Sequence, residues 1–267
     1  MESPQDGLRE RAAAAVRRVE PGATARSLDV LGSGLDHTAF RHGDLVVRVG
    51  AFPAWEPALL VLLRERLGWP APVPRHVEDG AMVLDLLPGE PLLGRRPPAG
   101  LAAGLAALLT DLHAADGGLL EEFEALLPDD DAEPGEWLDG LDGPADLLAV
   151  VRRDVPPAAP VRVPVHNDLG AEHLLVEGDR LTGVLDWSDA ALADPAVDVS
   201  RLLRDLGPGF VAGLMARYRG PVDPGFDDRV LFYARCAALE DLAFGAETGR
   251  REYVENAVRA VGWLFPG

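Results

Sequence analysis

The chain has 267 residues, 48% of them hydrophobic, which is long enough for a sizeable core and too apolar for a disordered chain. Its net charge of −19 argues against nucleic acid as the main partner, because phosphate backbones are met by clustered basic side chains; a cationic small molecule is favoured near such a surface, where the charge also serves solubility. A single cysteine, Cys236, excludes an internal disulfide framework and fits a reducing compartment.

In chain order, the N-terminal stretch MESPQDGLRERAAAAVRRVEPG has no apolar core of signal-peptide length and reads as a surface helix with Arg9, Arg11, Arg17 and Arg18 on its polar side. No apolar run approaches the roughly 18 residues needed to span a bilayer, so a cytoplasmic protein without a membrane partner is expected. Residues 28 to 50 predict a β-hairpin. Leu28 to Leu31 form one strand, Gly32-Ser33-Gly34 a turn, and Thr38 to Arg41 the return; Leu45 to Val49 follow as an apolar strand broken only by Arg48. Glu56 to Leu67 read as a helix with Leu59, Leu60, Leu63 and Leu67 on one face, ended by Pro70, Pro72 and Pro74. Ala81 to Leu87 predict a further strand.

Beyond Pro98 the pattern turns helical. Leu101 to His113 is apolar on most faces and expected to be buried. Short apolar strands are expected at Val163 to Val165, Leu174 to Val176 and Leu181 to Leu185, with helices from Val199 onward. The predicted plan is α+β: a small sheet-rich lobe over residues 1–88, a hinge near 84–92, and a larger helical lobe over 89–267.

VHNDLGAEHLLVEGDRLTGVLDW, residues 165 to 187, carries the chemistry. Asp168 sits in a loop after a strand, His173 follows five residues later, and Asp186 closes another apolar strand 13 residues on. Adjacent strands would bring all three to one end. A carboxylate and an imidazole together suit a divalent cation, and a further carboxylate suits accepting a hydroxyl proton. Phosphoryl transfer needs this layout: much positioning and little covalent chemistry.

HNDLGAEH resembles the H-x-D-x-x-x-x-N catalytic loop of kinases, and LDWSD resembles their metal-binding segment. With DPAVD at 194 to 198, the chain resembles the aminoglycoside phosphotransferase family, which also includes macrolide, choline and fructosamine kinases. Histidine in place of the usual asparagine, followed by Leu-Leu, is most similar to the aminoglycoside 2″-phosphotransferase branch. The resemblance implies a bilobal protein-kinase-like fold with a small antiparallel sheet and a larger helical part. It implies Asp168 as the catalytic carboxylate, with His166 and Asp198 supporting its loop. His173 and Asp186 would hold magnesium, and manganese would also be accepted.

Gly32, Ser33 and Gly34 would approach the triphosphate of ATP or GTP. Arg48, paired with Glu56, would grip the phosphates, and Asp85, Leu86 and Leu87 would meet the base. Glu240 and Asp241 resemble paired acidic residues that meet substrate amines, with Arg235 or Arg217 as their structural partners in the alternative reading. Trp263 offers a flat wall for a sugar ring.

Two departures stand out. All 25 basic residues are arginine, so Arg48 replaces the usual lysine with a larger, bidentate cation. His173 is a softer ligand than asparagine. The segment 121 to 146 carries 11 acidic and no basic residues, an acidic wall suited to a cationic acceptor or a solvated loop. His37 and His113 are given no ligand role. The expected activity is a monomeric small-molecule kinase for an aminoglycoside-like cationic antibiotic. The alternatives are a kinase for a macrolide, a fructosamine or another metabolite, a degenerate kinase-like nucleotide- or drug-binding module, and an unrelated acidic scaffold.

Overall fold

The computed structural model describes residues 4–34 and 37–266. By internal contacts the chain divides into two compact units, 1–88 with Gly183–Ser188, and Gly89–Thr182 with 189–267. No helix among the described residues is long and apolar enough to cross a membrane.

The first unit holds helix α1 (Pro4–Val16), strands β1 (Asp29–Ser33), β2 (His37–His42) and β3 (Leu45–Gly50), helix α2 (Glu56–Arg66), and strands β4 (Pro74–Glu78) and β5 (Ala81–Asp85). The strands form one antiparallel sheet in the order β1-β2-β3-β5-β4. Strand alternation sorts its two faces. Phe40, Leu45, Val47, Val49, Ala81 and Val83 pack against Ala12, Ala13, Ala15 and Val16 of α1. In register on the opposite face, Ala39 meets Arg48, and Arg48 meets Met82. Helix α1 is therefore more than a surface helix: its alanines complete a core, while Arg9 bonds the Leu28 carbonyl and Arg11 the Gly80 carbonyl at 3.3 Å.

Three expectations shift. Gly32 and Ser33 lie within β1 rather than in a turn, and Ser33 Oγ is 2.9 Å from Thr38 Oγ1 across the strand pair. The tip of that hairpin, residues 35–36, lies outside the described residues. The proline-rich run after α2 also leads into a strand that sequence reading missed. Pro74 is tolerated because it opens β4 at the sheet edge. The strand read as Ala81 to Leu87 stops at Asp85. Gly183–Ser188 joins this unit: Val184 N–H donates to Pro70 O at 3.0 Å, and Trp187 packs edge-on against Trp69 at 5.2 Å.

The second unit is mainly helical. It contains β6 (Glu90–Pro91), α3 (Leu101–His113), α4 (Gly117–Glu124), α5 (Ala145–Arg153), β7 (Val163–Val165), β8 (Leu174–Glu177), β9 (Arg180–Val184), β10 (Ala191–Ala193), α6 (Ala196–Met215), α7 (Phe226–Thr248) and α8 (Arg251–Leu264), β9 ending in the segment that joins the first unit. Single 3-10 turns lie at Pro134–Leu138 and Ala171–His173. Contrary to the expected neighbour relation, β7 pairs with β10, while β8 stands between β6 and β9. Helix α6 kinks at Gly207, whose φ of 80° is left-handed, followed by Pro208.

Candidate active site

The loop after β7 is fixed from beneath. Asp198, fully buried in the first turn of α6, accepts the backbone N–H of His166 through Oδ2 at 3.0 Å and that of Asn167 through Oδ1 at 2.9 Å. His113 Nε2 lies 3.0 Å from the same Oδ2, and its Nδ1 lies 2.8 Å from the Tyr218 hydroxyl. Burial opposes ionisation of Asp198, but the His113 hydrogen bond, the nearby histidines and the backbone N–H hold its carboxyl below the usual range. His113, read from sequence as a helix-end residue, is thus buried and bonded to Asp198. His166 is also buried, and its Nδ1 accepts the Asp168 N–H at 3.3 Å.

Seven residues beyond Asp198, two helical turns along the same face, Asp205 repeats the device. It accepts the Ala171 N–H at 2.7 Å and the Asn256 side-chain N–H at 2.6 Å. Gly170 lies between these anchors, where a Cβ would press on the carboxylate end of Glu172 and the guanidinium of Arg204 and oblige those side chains to shift. Asn167, with φ 70°, is one of only two non-glycine residues with left-handed backbone among the described residues; the other is Asp186, φ 57°. Asn and Asp are the types that tolerate this conformation, and such strain gathers at functional sites.

The Asp168 carboxylate is half-buried. Its Oδ2 lies 3.2 Å from His173 Nε2 and its Oδ1 3.4 Å from Arg201 Nε. Burial raises its pKa, but the His173 hydrogen bond and the positive charge of Arg201 outweigh this and hold the group well below the usual carboxylate range. Arg201 stands three residues after Asp198, on the same face of α6.

Glu240 and Asp241 take different environments. Glu240 is exposed, with Oε2 3.4 Å from Arg201 Nη1. Asp241 is buried against Arg204, which also bonds Asp205 at 2.6 Å and approaches Glu172 at 3.4 Å. Burial, reinforced by Asp205 and Glu172 and only partly offset by Arg204, pushes the Asp241 carboxyl up to about 7. Their partners are thus Arg201 and Arg204, not Arg235 or Arg217; Arg235 bonds the Leu264 carbonyl and Asp154. Trp263 is half-buried beside Gly207, and its indole N–H donates to Leu203 O at 3.0 Å. The acidic segment reaches the loop: Asn167 Nδ2 donates to Asp130 Oδ2 at 3.3 Å.

The first unit carries a separate constellation. Arg48 is buried, with Nη1 2.5 Å from Glu56 Oε1 and Nη2 3.5 Å from Asp186 Oδ1 and 3.4 Å from His37 Nδ1. Ser188 Oγ–H bonds Asp186 Oδ1 at 2.9 Å. Of the proposed base-reading segment, Asp85 N–H donates to Val73 O and Leu86 N–H to Asp44 O, so neither amide faces a ligand freely. Gly32, Ser33 and Gly34 are exposed. Among the described residues no group of three or more His, Cys, Asp or Glu side chains forms a metal cluster. Magnesium prefers oxygen ligands and commonly takes only one or two from the protein, which the Asp186 carboxylate suits.

Sequence reading missed Arg201, Arg204, Asp205, Tyr218 and the role of His113. The signal for part of this set was present: DVSRLLRD puts Asp198, Arg201 and Asp205 at i, i+3 and i+7 of one helix.

Fold and site define an enzyme of the kinase-like class. A model of the phosphotransferase enzyme family matches residues 12–229, and the chain belongs to that family: it is an O-phosphotransferase dependent on a nucleoside triphosphate. The viomycin phosphotransferase of Streptomyces vinaceus is 28% identical over 203 residues, covering 68% of this chain and 69% of that protein. The structure of APH(2″)-IIia with GDP and kanamycin superposes with a TM-score of 0.70 at 22% identity, covering 92% of this chain and 95% of that one. The macrolide 2′-phosphotransferase MphH of Brachybacterium faecium gives 0.68 at 24% identity, covering 99% of each.

Proposed function

We propose that the chain transfers the γ-phosphoryl group of ATP or GTP to a hydroxyl of a small cationic antibiotic of the aminoglycoside kind, acting as a cytoplasmic monomer. The observation that carries this reading is the clamped loop, which presents an ionised Asp168 on backbone tied to two buried aspartates. The acceptor hydroxyl hydrogen-bonds to Asp168. As its oxygen bonds to the γ-phosphorus and the bond to the β-phosphate oxygen breaks, Asp168 takes the proton. Arg48, oriented by Glu56, grips the phosphates. A magnesium or manganese ion held by Asp186 and His173 would neutralise phosphate charge. Gly32, Ser33 and Gly34 let the hairpin approach the triphosphate, and the segment Asp85–Leu87 receives the base through groups other than the Asp85 and Leu86 amides, which bond Val73 and Asp44. Glu240, Asp241 and Trp263 serve the acceptor side.

The relatives support the donor and acceptor classes: one is bound to GDP and kanamycin, and the others are phosphotransferases of viomycin and of macrolides. A second reading, an acceptor with fewer amines, is favoured by one observation: both acidic residues of the Glu240-Asp241 pair already face arginines. The test is consumption of ATP and of GTP, in magnesium, with kanamycin, gentamicin, streptomycin, viomycin and a macrolide. Turnover with the polycations alone supports the first reading. Turnover with the macrolide alone supports the second. Nucleotide binding without turnover on any acceptor would contradict both.

A further inference from the structure

Only two asparagines occur in the chain, Asn167 and Asn256. Asn167 belongs to the catalytic loop. Asn256 comes from the far end of the sequence, in the second turn of α8, and is buried. Its amide lies between two groups of opposite kind. Nδ2 donates to Asp205 Oδ1 at 2.6 Å, and Oδ1 accepts from Nη2 of Arg259, an exposed residue one turn along the same helix. A carboxylate only accepts and a guanidinium only donates, so the two neighbours leave the amide one orientation. Asp205 carries that order to the loop. Its Oδ2 accepts the Ala171 N–H at 2.7 Å, and Arg204 closes the group with Nε 2.6 Å from Oδ1 and Nη2 2.9 Å from Oδ2. Ala171 opens the 3-10 turn that ends at His173, whose Nε2 lies 3.2 Å from Asp168 Oδ2. A side chain of the last helix thus stands two hydrogen bonds from the backbone of the catalytic loop.

We propose that Asn256 is a positioning residue for phosphoryl transfer: by fixing the Asp205 carboxylate it holds the Ala171–His173 turn, and through that turn the setting of Asp168. The inference rests on reading Asp168 as the group that receives the acceptor proton. The site asks for a side chain that donates on one side and accepts on the other. Leucine, of similar size, would leave Asp205 Oδ1 short of a donor and Arg259 without this acceptor. Aspartate would set a second carboxylate in contact with that of Asp205, and two buried carboxylates this close cannot both ionise. The clamp on the loop therefore extends from α6 to α8, and the last helix takes part in catalysis without touching substrate.

The experiment compares the wild type, Asn256→Leu, Asn256→Asp and Asp168→Asn. Hydrogen exchange of the Ala171 amide is followed by NMR with isotopically labelled alanine, and kcat and KM are measured with the best acceptor between about pH 6 and about pH 8. Asn256→Leu is expected to speed Ala171 exchange and to lower kcat, each roughly 10- to 100-fold, with acceptor KM within about threefold of wild type. Asn256→Asp is expected to match Asn256→Leu at about pH 8 and to recover most of the lost kcat at about pH 6. The introduced carboxyl shares one proton with Asp205 and, once protonated, donates where the amide did. Arg204, Glu172, Asp241 and Arg259 also face this group. The wild type carries the same four, so the ratio of variant to wild type at each pH isolates the new carboxyl. A role in packing alone predicts a ratio independent of pH. Wild-type exchange and kcat in Asn256→Leu, or a flat ratio for Asn256→Asp, overturns the assignment of Asn256 alone. If Asn256→Leu does not fold, Asn256→Asp, read in one preparation at both pH values, decides. Turnover that survives Asp168→Asn, or no turnover of any acceptor, overturns the reading of Asp168 and the inference with it.

Discussion

The catalytic loop and the glycine-rich hairpin are both short connections, yet they are held in opposite ways. Residues 166 to 173 rest on Asp198 and Asp205, two buried carboxylates that bond three backbone N–H groups between them. Every residue of β1 is exposed, and the strand lies at the edge of its sheet beside β2. The difference follows from what each region must do. A proton acceptor works when its geometry exists before the substrate arrives. An exposed edge strand lies at the low-stability end of the fold and, under the proposed function, would be ordered by the triphosphate it approaches.

Breaking the clamp is the severest way to erase this contrast. Asp198→Asn removes the charge that His113 and the His166 and Asn167 amides share. Disrupting a buried pair of this kind costs about 3–5 kcal/mol. The expected result is a melting temperature lower by roughly 10 °C, measured by calorimetry, with kcat falling more than nucleotide affinity.

A subtler perturbation acts through Asp241. Its folded-state pKa is raised from the ordinary carboxylate range to about 7, so the folded state binds the extra proton. Stability is highest below the unfolded pKa, falls as pH rises toward about 7, and levels off above it. Asp241→Asn removes this dependence. Between pH 5 and pH 8 the variant should gain on the order of 2 kcal/mol relative to wild type, read from urea unfolding at each pH. An identical slope in both proteins would mean that Asp241 stays ionised.

The hairpin should show the smallest structural effect. A Cβ on Gly32 meets nothing within 4 Å. Gly32→Ala should therefore change stability by no more than about 0.5 kcal/mol. Under the proposed function its effect is expected in nucleotide KM, and kinetics beside thermal unfolding separates the two. A large stability loss would show that the hairpin is as tightly held as the loop.

Much of this architecture was legible because local pattern and burial agree. β3, α2, α3, β7 and β8 follow from apolar runs of the right period. The order of Asp168, His173 and Asp186 was readable as a candidate phosphoryl-transfer motif only through its joint spacing, since Asp and His in turns are each common in structural roles. What the sequence hid was pairing at long range. Asp198 meets His113 across 85 residues and Arg204 meets Asp241 across 37, and no local periodicity encodes which arginine faces which carboxylate. Strand β4 was hidden for another reason: proline reads as a terminator unless the strand is known to lie at an edge. The partners of β7 were likewise set by the return of the chain at Ala191–Ala193, beyond the motif itself.

The claim beneath all of this is that Asp168, held rigid and ionised, receives the acceptor proton. The most direct measurement is kcat of Asp168→Asn against wild type with the best acceptor, alongside nucleotide affinity and melting temperature. The account predicts a loss of about 10² to 10⁴-fold in kcat, with nucleotide affinity unchanged and the fold intact. Wild-type turnover in Asp168→Asn would contradict it.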